Sequence, residues 1–191
     1  MRGLLPYVLP FALPTLCCAP ARAEVSEQLS YQHYAVAHRP GQSLLTAING
    51  ATTIRQNGEV FHGHTRWNVR WDYRWRFDTQ GRCTITSVNT RLESVITLPR
   101  LSTADPQVES QFAAYLEPLR RHELGHVQVG RNAARRIDQA IQNLPTMSSC
   151  ELLSATANQR GSALIEEAKR EELQYDQETG HGRTQGAWLP R

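Results

Sequence analysis

The sequence predicts an α+β domain in which a small antiparallel β-sheet is followed by a helical hairpin. Two observations support this fold class. Before about residue 100, apolar residues alternate with polar ones, and after Pro99 they recur every three or four residues. The chain has 191 residues, of which 40% are hydrophobic, and this is enough for one domain with a sizeable core. We expect a sheet part at about 30–100, a helical part at about 105–174 and a motif-bearing tail at 175–191.

The first 23 residues have the features of a cleavable signal peptide. Arg2 supplies a positive charge, residues 4–19 are apolar and uncharged, and Ala21-Arg22-Ala23 matches the A-x-A cleavage pattern. We therefore expect cleavage after Ala23 and a periplasmic or secreted protein with a single domain over residues 24–191.

The mature chain is expected to be close to electrically neutral. Of the 21 basic residues, Arg2 and Arg22 are lost with the leader, which leaves 19 basic against 18 acidic side chains. The sequence contains no basic run that would bind nucleic-acid phosphates or an anionic membrane surface. We therefore expect no nucleic-acid partner and no membrane insertion after signal cleavage.

Cysteine usage fits an oxidising compartment. Cleavage removes Cys17 and Cys18, neither of which has the leucine three residues earlier that lipidation favours. Cys83 and Cys150 remain, and we expect them to form one disulfide. Two separate buried thiols are the alternative.

The β part of the chain is predicted to centre on one long strand. From Trp67 to Phe77, aromatic and valine side chains alternate with polar or charged ones, which is typical of a half-buried antiparallel strand. Turn-forming residues lie on both sides of it. Shorter strands are predicted at 32–37, 83–91 and 94–98, with a short helix near 43–49. We expect the three tryptophans of the long strand, Trp67, Trp71 and Trp75, to be core residues.

The helical part is predicted to begin at Asp105, a favourable N-cap that is followed by Pro106 at the first helical position. Helix continues to about residue 144, with a break or kink at Pro118. Ser149 and the serine before it can cap a further helix over about 150–173. The tail from Tyr175 onward is polar and glycine-containing, and we expect it to be irregular.

His122-Glu123-Leu124-Gly125-His126 has the pattern H-E-x-x-H and lies within the predicted helical hairpin. Side chains four residues apart share one face of a helix, so the two imidazoles can bind one zinc ion. Glu123 projects about 100° further round the helix, where it can act as general base on water that the zinc activates. Both histidines continue an inward-facing apolar stripe. The alternative is a pair of buried histidines satisfied by hydrogen bonds.

A catalytic zinc site needs a third protein ligand, and the second helix of the hairpin offers four candidates: Glu166, Glu167, Glu171 and Glu172. If the hairpin turns at residues 146–147, His126 faces Glu167 and His122 faces Glu171.

The tail offers two more candidates for the third ligand. His181 stands between two glycines, which allow close backbone approach. Asp176 is either a ligand itself or the partner that orients a ligand histidine. The residues alone leave these alternatives open. His62 and His64, near the start of the long strand, are expected to be surface histidines.

Several motifs follow one another along the chain: Tyr34, Phe61-x-Gly63-x-Thr65-x-Trp67-x-Val69-x-Trp71, Cys83, Leu98-Pro99, His122-Glu123-x-x-His126 and Tyr175-Asp176-x-x-Thr179-x-His181-Gly182. In these motifs, and over nearly all of the mature chain, the sequence resembles the bacterial predicted secreted zinc-dependent proteases, a family catalogued as a domain of unknown function. The resemblance implies an exported metal-dependent peptidase with a zincin-like HExxH helix, in which His122 and His126 are ligands and His181 is the favoured third. One departure is Phe112, where family members tend to have tryptophan before the catalytic helix.

We therefore expect an exported zinc metallopeptidase with one Zn²⁺ per chain and a peptide or protein substrate. Glu123 would act as general base and then as proton donor. Tyr175, which is near His181 in sequence, would help to hold the oxyanion, and an edge strand would bind the substrate.

A non-catalytic envelope module with a structural metal is the alternative function. It predicts a closed four-ligand site that includes Asp176 or Glu167, and loss of the fold when the metal is removed.

Overall fold

The computed structural model describes residues 25–56 and 58–190, so the predicted signal peptide at 1–23 lies outside the described residues. The elements are β1 (Ser26–Ala37), α1 (Leu44–Ala51), β2 (Arg55–Gln56), β3 (Glu59–Val60), β4 (His64–Phe77), β5 (Cys83–Ser102), α2 (Pro106–Gln142), α3 (Cys150–Thr179) and a short 3₁₀ helix (Arg183–Gln185). The predicted α+β class is therefore confirmed.

The main sheet has the strand order β1-β5-β4 and is mixed rather than wholly antiparallel. β4 and β5 form the predicted antiparallel pair, but β1 pairs with β5 in parallel. The antiparallel prediction is wrong for β1 because the alternation of apolar and polar residues is the same for either strand direction. The predicted strands 83–91 and 94–98 are a single strand, β5, because Leu92 continues the buried series between Thr90 and Ser94.

β5 and α2 contribute to two apolar clusters. The first core cluster lies where β4 and β5 meet the second half of α2 and the start of α3, and it contains Val69, Cys83, Ile85, Val88, Leu92, Ala134, Ile137, Ile141, Leu144, Leu153 and Ala157. The second core cluster joins β1, α1, β5 and the first half of α2, and it contains Val36, Leu44, Ala47, Ile48, Ile96, Leu98, Phe112, Tyr115, Leu119 and Val127. Ile137 and Leu144 of the apolar stripe predicted from the sequence lie in the first core cluster.

α2 begins as predicted. The Asp105 carboxylate accepts hydrogen bonds from the backbone N–H groups of Gln107 and Val108. Of the two alternatives predicted at Pro118, a break is wrong, because the helix continues through it to Gln142, and a kink stays a prediction. Proline removes one backbone hydrogen bond, but Tyr115 and Leu119 on either side are buried in the second core cluster and hold the helix in place.

α3 is longer than the sequence predicts. It continues past Leu173 to Thr179 and ends at Gly180, whose φ of 55° gives a left-handed C-cap. The prediction that the tail is irregular from Tyr175 onward is therefore wrong for its first five residues. This correction matters because Tyr175 and Asp176 lie on a rigid helix.

A Cys83–Cys150 disulfide joins the start of β5 to the start of α3, as predicted, with the two Cα atoms 5.0 Å apart. Two backbone hydrogen bonds between Cys83 and Met147 support the same junction. Among the described residues, no helix combines the length and the apolar character needed to cross a bilayer. Both findings are compatible with an exported protein.

Two of the three strand tryptophans pack against glycines of the helices. A Cβ atom at Gly130 of α2 would lie 2.9 Å from the Trp67 ring, and one at Gly161 of α3 would lie 2.6 Å from the Trp71 ring. The core prediction is wrong for Trp75, which is 44% exposed. A register shift between Arg74 and Trp75 interrupts the pairing of β4 with β5 there.

Candidate metal centre

The two histidines of the H-E-x-x-H motif lie side by side in the middle of α2. Their ring centroids are 4.9 Å apart, and His122 and His126 are only 4% and 9% exposed. The helical spacing predicted from the sequence therefore brings both imidazoles to one buried position.

Asp176 on α3 faces both rings. Its Oδ1 atom lies 3.2 Å from Nε2 of His122 and 3.1 Å from Nε2 of His126. One ligand atom of each of these three residues lies within 4.8 Å of the other two. The structure thus brings together two predicted metal ligands and one of the predicted alternatives.

In each imidazole, both ring nitrogens have an oxygen atom nearby, Asp176 Oδ1 at Nε2 and a different oxygen at Nδ1. Nδ1 of His122 lies 3.1 Å from Oε1 of Gln185, and Nδ1 of His126 lies 3.4 Å from Oε1 of Glu172. A neutral imidazole has one N–H, so it can donate to only one of its two oxygens. If Nδ1 donates, the lone pair of Nε2 points at the Asp176 carboxylate. This arrangement is favourable only with a second proton on the ring or with a cation among the three groups.

The pKa values of His126 and Asp176 in the metal-free chain also show that a positive charge is favourable between these groups. Burial lowers the pKa of His126, but hydrogen bonds to Asp176 and Glu172 outweigh this effect and raise it to about 9. Burial would raise the pKa of Asp176, but hydrogen bonds from His122 and His126 hold it well below its ordinary value. A proton on His126 therefore occupies the electrostatic role that a metal ion would take.

The donor types and the two distances to Asp176 are compatible with zinc. Ligand atoms at about 2.0–2.1 Å from a tetrahedral ion lie roughly 3.3 Å from one another, close to the distances from Asp176 to the two histidines. Two imidazoles and one carboxylate are a typical donor set of catalytic zinc sites.

Glu123 is buried beside this group, with 3% of its surface exposed. Its Oε2 atom accepts a hydrogen bond of 2.7 Å from the hydroxyl of Thr65 on β4. Burial raises the pKa of Glu123, against the lowering effect of that hydrogen bond. A Cβ atom at Gly63 would collide with Oε1, so glycine there keeps space beside this oxygen.

Tyr175, on α3, packs against the candidate ligands His122 and His126 of α2. Its ring stacks on His122 at 5.1 Å, and its hydroxyl donates to the His122 backbone carbonyl at 3.1 Å. Gly125 allows this approach, because a Cβ atom there would collide with the hydroxyl. The hydroxyl is thus directed at the backbone of α2, and the predicted oxyanion role of Tyr175 stays a prediction.

His181 lies at the edge of the three-residue group. Its Nδ1 atom is 3.5 Å from Oδ1 of Asp176, its side chain is 48% exposed, and its ring lies against Phe61. His181 is the one non-glycine residue with positive φ (51°) among the described residues, a conformation that costs free energy. Gly182 packs against His122, since a Cβ atom there would lie 2.9 Å from its Cγ.

The predicted alternatives Glu167 and Glu171 face away from the histidines. Both carboxylates pair with Arg136, two turns and more beyond His126 along α2. The hairpin register predicted from a turn at 146–147 is wrong although the joining segment, 143–149, is centred on that turn. α3 is shifted along α2, so that Arg136 rather than His126 lies opposite Glu167. Residues further along α3 therefore face the histidines.

The sequence predicts Glu172 only as one of four candidate ligands on the second helix, and it gives Thr65 and Gln185 no role at the centre. Glu172 is four residues before Asp176 and so shares its helix face; this spacing would have predicted its place beside His126 had the extent of α3 been known. The Thr65 and Gln185 contacts depend on tertiary structure, and no local pattern indicates them.

A cleft of about 500 Å³ opens over the three-residue group and Glu123. Four apolar residues line this cleft, Ile54, Val60, Phe61 and Leu173, and we call them the apolar wall. His64 lines the cleft and is exposed, as predicted, whereas His62 is not a free surface histidine. The His62 ring nitrogens lie 2.6 Å from the Tyr115 hydroxyl and 2.8 Å from the Asn49 amide oxygen.

Comparison with known proteins identifies one family. The family model described as "Bacterial protein of unknown function (DUF922)" matches residues 31–182, which include every residue of the centre except Gln185. No curated protein and no solved structure matches the chain.

Proposed function

The chain belongs to the DUF922 family of bacterial proteins of unknown function, and we propose that it is an exported zinc-dependent metallopeptidase. One observation carries this proposal. A single carboxylate oxygen of Asp176 faces Nε2 of both histidines of an H-E-x-x-H helix, and the glutamate of that motif borders the same open cleft.

His122, His126 and Asp176 would hold the zinc ion. We place Asp176 in the role that the family resemblance assigns to His181, because its carboxylate lies between the two imidazoles whereas His181 is half exposed beyond it. Three protein ligands leave one position for water or substrate, as in catalytic rather than structural zinc sites.

Zinc held by His122, His126 and Asp176 would supply Lewis-acid chemistry, which polarises a peptide carbonyl and lowers the pKa of the attacking water. Glu123 accepts the proton of that water and delivers it to the leaving amine. Its geometry suits this role, because Thr65 fixes Oε2 while Oε1 faces the space beside Gly63. Its raised pKa brings it closer to the working pH, where a carboxylate can both accept and release a proton.

An extended peptide fits the surroundings of the centre. β4 is an edge strand of the described sheet, and its first residues, including His64 and Thr65, line the cleft. A second groove of about 600 Å³ shares Thr65, Lys169 and Glu172 with the cleft and continues along β4. A substrate backbone can pair with such an edge while its side chains occupy the apolar wall.

The proposed catalytic role is favoured over a structural metal because the hydrophobic core does not depend on the metal ligands. The two apolar clusters and the Cys83–Cys150 disulfide link β-sheet and helices without using a metal ligand. Within the described residues, the cluster of potential ligands contains three groups and not four.

The test is hydrolysis of a denatured protein and of a mixed peptide library by the mature chain and by Glu123→Gln. We expect Glu123→Gln to bind zinc with the wild-type stoichiometry and to lose at least about 100-fold in turnover. Glu109→Gln, an exposed change in the first turn of the same helix, is the matched control. Wild-type turnover by Glu123→Gln would contradict the mechanism.

A further inference from the structure

Gln185 reaches the metal centre from outside the part of the chain that the family model matches, which ends at residue 182. Its Oε1 atom lies 3.1 Å from Nδ1 of His122, and its amide nitrogen donates to the Tyr175 hydroxyl at 3.1 Å. The Tyr175 hydroxyl donates in turn to the backbone carbonyl of His122. The ring and the backbone of one ligand are thus held by a single hydrogen-bonded network.

We infer that Gln185 is a positioning residue that sets the tautomer and orientation of His122 for metal binding. The inference rests on the proposed metal site. An amide oxygen only accepts, so it requires a proton on Nδ1 of His122. That proton leaves the Nε2 lone pair directed at the position between His122, His126 and Asp176, which is the arrangement a metal ligand needs.

The segment that carries Gln185 is anchored on both sides. The backbone N–H of Ala187 donates to the carbonyl of Gly182 at 3.0 Å, which closes the turn around the 3₁₀ helix. Gly182 and Gly186 have φ of 83° and 95°, values that glycine adopts without strain. Leu189 then packs against the second core cluster. The position of Gln185 is therefore fixed by backbone geometry and by apolar burial.

His126 is supported in a different way. Its Nδ1 atom faces a carboxylate, Glu172, which also accepts a 2.7 Å hydrogen bond from the Trp67 indole. A carboxylate partner makes a ligand imidazole more basic than a neutral amide does. This difference between the two ligands predicts the direction of two effects. A carboxylate at position 185 should strengthen zinc binding, because it makes His122 more basic, and an apolar side chain there should weaken it.

The experiment measures the zinc Kd of the mature chain by competition with a chromophoric chelator. We expect Gln185→Leu, which keeps the approximate volume but has no acceptor, to bind zinc at least about tenfold more weakly. Gln185→Glu should bind more tightly than wild type. Gln177→Leu and Gln177→Glu, at an exposed position of α3, are matched controls for side-chain shape and added charge, and should change the Kd less than twofold.

A second readout separates positioning from folding. The visible absorption spectrum of the Co²⁺-loaded protein reports ligand geometry, and we expect it to change in Gln185→Leu and to stay constant in the Gln177 variants. If Gln185→Leu does not fold, Gln185→Glu carries the test alone. Equal zinc affinity of wild type and both Gln185 variants would overturn the inference, as would a Gln185→Glu variant no tighter than Gln177→Glu. Absence of zinc binding by the wild type would instead overturn the proposed function.

Discussion

The two long helices are held together in different ways at their two ends. Near the first core cluster, α2 and α3 bury Ile137, Ile141 and Leu153, and the Cys83–Cys150 disulfide ties α3 to the sheet. Near the metal centre, the contacts between the same helices are polar, from the histidines of α2 to the carboxylates of α3. We call these two regions the disulfide end and the site end.

The difference indicates where a metal ion is needed. The disulfide end is stable by apolar burial and a covalent bond, neither of which depends on a ligand. The site end gathers the carboxylates of the buried Glu123 and the half-buried Glu172 and Asp176 around two imidazoles. Negative charge that is withdrawn from water is unfavourable unless it is neutralised. On the proposed metal site, a bound ion would organise the site end, while the fold itself is expected to persist without it.

The largest expected effect is the loss of metal binding when the shared carboxylate is removed. We expect Asp176→Ala to weaken zinc binding by at least about 1,000-fold, which corresponds to about 4 kcal/mol. His181→Ala should change the Kd by less than about tenfold, because its imidazole lies outside the three-residue group. Titration with zinc measures both. The opposite order of effects would make His181 the third ligand.

Removal of the disulfide should have the opposite effects, a loss of stability with little change in zinc affinity. Replacing both cysteines by serine opens a link across 67 residues, which lowers the free energy of unfolding by about 4 kcal/mol on the chain-entropy model. The zinc Kd of the folded variant should stay within twofold of wild type. Chemical denaturation and zinc titration of the double variant test this, and a large loss of zinc affinity would show that the two ends are coupled.

A half-buried histidine outside the three-residue group, His62, gives a third test. Burial, and to a smaller extent Arg55, lowers the pKa of His62 to about 4 from an ordinary value near 6.5. The folded state therefore resists protonation, so its stability is fully present above pH 6.5 and declines as the pH falls towards 4. The loss amounts to at most about 3 kcal/mol. Denaturation of the metal-free chain should show this decline, and His62→Gln should reduce it. An unchanged pH dependence in that variant would exclude His62 as the cause.

The smallest effects are expected from two helix glycines that admit aromatic rings. In Gly161→Ala the new methyl group meets Trp71 at the disulfide end, and in Gly125→Ala it meets Tyr175 at the site end. Overpacking of this kind costs about 1–3 kcal/mol. Thermal denaturation should show a similar loss in both variants, but only Gly125→Ala should weaken zinc binding. Equal zinc affinity in the two variants would contradict the distinction between the ends.

Local patterns predicted the features that depend on local physics. The alternation in β4, the caps at Asp105 and Ser149, the helical spacing of His122 and His126, and the disulfide each follow from a few neighbouring residues or from counting cysteines. The structure confirms all of them.

Local patterns did not predict how elements that are distant in sequence pack against one another. The parallel direction of β1 leaves no trace in its pattern of side chains. Asp176 rather than Glu167 faces the histidines because α3 is shifted along α2 and extends to Thr179, and neither property can be deduced from a local pattern. The contact of Gln185 with His122 depends on three left-handed glycines after α3, Gly180, Gly182 and Gly186, and a sequence pattern does not predict the path of the chain through them.

The central claim is that His122, His126 and Asp176 bind one zinc ion. Elemental analysis of the purified mature chain, residues 24–191, beside Asp176→Ala tests it most directly. We predict one zinc per chain for wild type and less than a tenth of that for Asp176→Ala, with the same circular dichroism spectrum for both. A folded, disulfide-bonded wild-type protein that carries no zinc and takes up none when it is added would contradict the claim.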